Sequence, residues 1–69
     1  MKIDAVATGM RIQELRKQRG MKVVDISDAL GLYSPQAVYK WMRGECLPTL
    51  QNIYQLSILF DTTIDDIVR

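Results

Sequence analysis

The chain has 69 residues, 48% of them apolar and 25% charged, with a formal net charge of +1, one cysteine and no histidine. That is too short for more than one small core and too apolar for disorder, and a chain this small gains stability from a partner copy. No apolar run approaches the ~18 residues needed to cross a membrane, Met1-Lys2-Ile3-Asp4 lacks a signal-peptide core, and Cys46 has no internal disulfide partner, so a cytoplasmic protein is expected.

Charge is unevenly spread. Up to Glu45, Lys2, Arg11, Arg16, Lys17, Arg19, Lys22, Lys40 and Arg43 stand against Asp4, Glu14, Asp25, Asp28 and Glu45, a balance of +3; beyond it Arg69 against Asp61, Asp65 and Asp66 leaves −2. A chain polarised this way can turn its basic end to a polyanion.

The periodicity is helical throughout, without an alternating run for a strand. Asp4 caps a first helix running to Arg19, with Ile12 and Leu15 inward and Arg16, Lys17 and Arg19 loading the C-terminal turn favourably for the helix dipole. Gly20 stops it. A second helix, about Lys22 to Leu30, buries Ile26 and Leu30 and ends at Gly31.

The third helix carries the most information. Ser34 reads as its N-cap, Pro35 as its first residue and Gly44 as its left-handed end. At about 100° per residue, Gln36, Tyr39, Lys40 and Arg43 share a ~100° arc, while Ala37, Val38, Trp41 and Met42 take the opposite side. The second set reads as core, and the first is long, polar and partly cationic. Thr49 caps a fourth helix with Leu50, Ile53, Leu56 and Phe60 on one face. Thr63 caps a short fifth, with Asp65 and Asp66 in its first turn and Ile64, Ile67 and Val68 available for packing or for a partner. The expected fold is all-α, a compact five-helix domain over residues 1–69 with short connections and a helix-turn-helix at about 22–43.

Gly20-Met21, Ile26-Ser27, Leu30-Gly31, Val38, Trp41, Gly44 and Leu47-Pro48-Thr49-Leu50, at these spacings, resemble the phage-repressor, or XRE/Cro-like, family of lambda-repressor-like DNA-binding domains. The likeness runs from Arg11-Ile12-Gln13-Glu14-Leu15-Arg16 to Ile64-Asp65-Asp66-Ile67, about four-fifths of the chain. Ser-Pro-Gln-Ala-Val-Tyr-Lys-Trp is similar to a subgroup of short bacterial regulators with one extra residue in the turn.

The resemblance implies that the third helix lies in the major groove of double-stranded DNA, which makes Gln36, Ala37, Tyr39 and Lys40 candidate base readers. Residue chemistry agrees for two of them: Gln36 can pair bidentately with adenine, and Lys40, one turn on, can reach guanine acceptors. Lys22, Tyr33, Ser34, Arg43, Thr49 and Asn52 are candidate phosphate contacts. The chain departs from the family at Lys22-Val23, where a small hydroxyl residue and a phosphate-clamping glutamine are usual. It departs again at Met42, where a glutamate commonly pairs with the arginine at Arg16. Arg16 is left with Glu45, Asp28 or a phosphate as alternatives.

Without histidine, a second cysteine or a Gly-rich phosphate loop, the usual triads, thiol-imidazole pairs and zinc sites have no residues to form from, so no enzyme, metal, cofactor or small-molecule ligand is expected. The expected function is a sequence-specific transcriptional regulator, bacterial or phage-encoded and nucleoid-associated, repressing as a homodimer through Ile64, Ile67 and Val68. The alternative is a protein-interaction module, such as an antitoxin, on the same fold.

Overall fold

A computed structural model describes residues 2–69, leaving Met1 of the expected domain outside the description. Five helices follow one another: α1 Ala5–Gln18, α2 Val23–Leu30, α3 Gln36–Met42, α4 Leu50–Leu59 and α5 Ile64–Ile67. No strand occurs among the described residues, and no described helix is long and apolar enough to cross a membrane.

Local sequence sets most helix ends. Asp4 Oδ1 accepts from the Ala7 amide at 3.0 Å, and the Thr49 and Thr63 hydroxyls accept from Asn52 and Asp66 amides at 3.2 Å, so α1, α4 and α5 have the expected side-chain caps. Gly20 and Gly31 take left-handed conformations after α1 and α2. The end of α4 is unusual: the residue at positive φ there is Asp61, at +54°, with its amide bonded to the Ile58 carbonyl and that of Thr62 to the Ser57 carbonyl. Aspartate is one of the few side chains that visits this region.

The core joins Ile12 and Leu15 of α1, Ile26 and Leu30 of α2, Val38 and Trp41 of α3, Ile53 and Leu56 of α4, then Phe60 and Ile67. Fully burying each aliphatic side chain of this size contributes roughly 1.5–3 kcal/mol before ordering costs. Leu50 departs from expectation. It is 78% exposed, because at the first position of α4 it joins the outer row of Tyr54 and Ile58 instead of the inner row of Ile53, Leu56 and Phe60.

Ile67 departs more consequentially. It has no exposed surface, and Ile64 and Val68 are partly buried against the same core, so the centre of the expected dimer surface is spent inside the monomer. Polar ties between chain ends explain this. Arg11 Nη2 donates to both Asp66 carboxylate oxygens at 2.9 and 2.8 Å, and Arg11 Nε donates to the Asp66 carbonyl at 3.0 Å. Arg19 Nε donates to the Phe60 carbonyl at 2.9 Å. The Arg69 amide donates to Thr8 Oγ1 at 3.0 Å, and the Asp4 amide donates to the Arg69 carbonyl at 2.7 Å. These bonds draw α5 onto α1 and close the core over Ile67.

Candidate nucleic-acid interface

Two contacts made by glycine set the position of α3. A Cβ on Gly9, inside α1, would lie 3.0 Å from the Met42 carbonyl oxygen and closer still to that of Trp41, so α1 meets the end of α3 backbone to backbone. Gly44, at φ +76°, satisfies two demands at once: a left-handed turn out of α3, and a place against Val6, whose Cα a Cβ there would approach to 2.8 Å. Val38 and Trp41 then anchor the inner side of α3 in the core.

With that side fixed, the opposite one is fixed too. Gln36, Tyr39, Lys40 and Arg43 are all exposed, as their shared arc requires. Tyr33, in the turn between α2 and α3, is fully exposed beside them along the chain. The turn itself is held by the Leu32 amide, which donates to the Ser27 carbonyl at 2.9 Å, with Leu32 packed against the core. The structure thus displays the four-residue face on one side of a short, doubly anchored helix.

Several expectations need correction. Ser34 does not cap α3 through its side chain; the helix begins at Gln36, with Pro35 already helical at φ −72° and ψ −5°. The Tyr39 amide bonds to the Pro35 carbonyl at 3.2 Å, so Pro35, which has no side-chain acceptor, occupies the N-cap position and Ser34 lies one residue outside it. Ala37 is partly buried and packs against the core, where the helical arc places it, so it belongs to the anchoring side. Arg16 pairs with neither Glu45 nor Asp28: its Nε donates to Gln13 Oε1 at 3.0 Å and its Nη1 to the Met21 carbonyl at 2.9 Å, tying off the turn after α1.

The partner of Glu45 is Arg43. Hydrogen bonding from Arg43, with attraction to Arg43 and Lys40, holds the Glu45 carboxyl below the usual carboxylate range. Both members of the pair are about half exposed, so this is a surface contact that a phosphate can displace. Lys22 and Lys40 are exposed, and neither has a carboxylate within ion-pair distance among the described residues. At the head of α2 the Lys22 amide donates to Asp25 Oδ2 at 2.9 Å. Thr49 is exposed with its hydroxyl engaged as the α4 cap, and Asn52 is half-buried.

The contact missed from sequence is Gly9. Its signal is a glycine inside α1, a position that costs helix stability by about 1 kcal/mol relative to alanine and so implies a close approach.

A family model described as helix-turn-helix matches residues 12–67. No curated protein matches the chain by sequence. Among solved structures, the restriction-modification controller protein C.AhdI from Aeromonas hydrophila is similar with a TM-score of 0.84 and 28% identity, covering 93% of this chain and 96% of that one. The clp gene regulator ClgR from C. glutamicum is similar in fold, with a TM-score of 0.82, 15% identity, and coverage of 97% of this chain and 86% of that one. Five helices in this order, an outward polar face on the third and a family match over most of the length lead to one conclusion: the chain belongs to the helix-turn-helix family, in its XRE branch of DNA-binding transcriptional regulators.

Proposed function

We propose that the 69 residues act as one DNA-reading unit that represses transcription by occupying an operator, two copies taking two half-sites. One observation carries the reading: Gln36, Tyr39, Lys40 and Arg43 stand out together from a helix anchored on its other side by Val38 and Trp41. Gln36 and Lys40, nearest the helix start, are the base readers, with Tyr39 between them against a thymine methyl or a phosphate. Arg43, released from Glu45, and Lys22, Tyr33, Ser34, Thr49 and Asn52 supply phosphate contacts and most of the affinity. The protein acts by binding, without catalysis.

The test is selection of duplexes from a random pool by purified protein at ~150 mM salt, which suppresses binding through phosphates alone. Recovery of a two-fold-related motif with half-site centres ~34 Å apart supports the reading. Absence of enrichment from folded protein overturns it, in favour of a module that binds protein.

A further inference from the structure

Helix α4 keeps an apolar row out of the core. Leu50, Tyr54 and Ile58 are 78%, 58% and 62% exposed and recur every four residues along one side. From Cys46 to Phe60 the chain has no Asp, Glu, Lys or Arg, although a quarter of all its residues are charged. The other helices each carry at least one charge. The exposed apolar residues at the other end of the chain, Val6 and Met10 on α1 with Ile3 just before it, have Asp4 among them and Arg11 after them. Charge depletion around exposed apolar and aromatic side chains is the compositional mark of an interface centre.

We propose that the outer face of α4 pairs with the same face of a second copy of this chain. This rests on the dimeric reading above and identifies the surface that makes it, replacing α5. The row is symmetric about Tyr54: a two-fold axis there sets one α4 antiparallel to the other, with Leu50 opposite Ile58 at both ends. An uncharged face is suited to its own copy, since the residue at the two-fold, Tyr54, meets its own equivalent without like-charge repulsion and no charged group of α4 is desolvated.

A groove of about 250 Å³ beside the row, lined by Ala29, Leu30, Gln55, Ile58 and Leu59, offers a seat for an entering side chain. Gln55 Oε1 is buried and has no hydrogen-bond partner among the described residues. The three side chains expose on the order of 400 Å² per copy, enough for the dry centre of an interface whose uncharged rim includes Gln51 and Gln55.

The test is sedimentation equilibrium of the full chain, with Ile58→Asp and Leu50→Asp as probes and Met10→Asp as control. All three positions are exposed, and retained helical circular dichroism with cooperative melting establishes that each variant folds. Wild type and Met10→Asp are expected to sediment as dimers, while both α4 variants raise the dimer dissociation constant more than about tenfold. A monomeric wild type, α4 variants that still dimerise like wild type, or folded Met10→Asp losing the dimer equally would each overturn the proposal. Mass is read without DNA, so failure of the interface and failure of the operator reading are separable. A dimer dependent on α4 that selects no motif supports the surface and removes the operator, whereas a monomeric wild type that enriches a half-site does the reverse.

Discussion

Replacing Gly9 by alanine should disturb the contact that aims α3. The new methyl group would lie 3.0 and 3.1 Å from the Met42 carbonyl oxygen and carbon, where ordinary contact begins at 3.4 Å, and nearer still to the Trp41 carbonyl oxygen. All three obstacles are backbone atoms, so no rotamer change relieves them, and α1 and α3 must part by roughly 1 Å. Overpacking of this kind costs about 3 kcal/mol, at the upper end of the usual range, and the helix preference of alanine over glycine returns about 1. The net loss of about 2 kcal/mol corresponds, for a domain this small, to a fall in Tm of roughly 10–15 °C. Thermal unfolding followed by far-UV circular dichroism measures it. An unchanged or raised Tm would mean that the helices have slack at this crossing, and the account of how α3 is positioned would fail.

At the α3 surface, Gln36→Ala should cost about 1–3 kcal/mol on the selected operator and relax preference at one base position, whereas Arg43→Ala should weaken all sequences alike and reduce the salt slope by ~1; competition binding on a mismatch series separates the two. Glu45→Gln frees Arg43 and should tighten binding to any duplex, with a steeper salt dependence in titrations at increasing ionic strength. Asp66 is held below its ordinary carboxylate value of 3.8 by the Thr62 hydroxyl and then by Arg11. Its stabilisation should therefore be complete above pH 3.8 and drain away as pH falls through the depressed value, and Asp66→Asn should flatten that part of the Tm-against-pH curve. Asp61→Gly removes a side chain from a left-handed position and should raise Tm by roughly 2–4 °C; a fall would mean that the aspartate side chain contributes more than its backbone strain costs.

Most features governed by near neighbours in sequence were legible, the Ser34 cap being an exception. The Asp4, Thr49 and Thr63 caps, the glycine ends and the two-sided character of α3 each depend on residues within about one helical turn, and each appears in the structure. Features that depend on where the folded chain passes, near or far in sequence, were not. Arg16 chose the Met21 carbonyl and Gln13 over a carboxylate because the turn after α1 passes beside it. Ile67 looked spare for a partner because periodicity cannot reveal that Arg11 and Arg19, over 40 residues away, pull the C-terminal segment onto α1. Leu50 fits the inner row by spacing, yet it is 78% exposed and lies with Tyr54 and Ile58 on the outer side of α4. Both faces of α3 were readable from its arc, which put Ala37 inward; the resemblance alone made it a base reader, and in the structure it packs against the core.

The hydrogen bond from the Asp4 amide to the Arg69 carbonyl brings the two extremities of the described chain side by side. The covalent order of the helices is then one of several that would trace the same shape. A circularly permuted chain, with a short glycine-rich bridge across that seam and a new opening among the exposed residues Glu45, Cys46 and Leu47, should rebuild the same helices. It would detach α3 from α4 in sequence while leaving both in place, so that segments could be fused directly behind the reading helix.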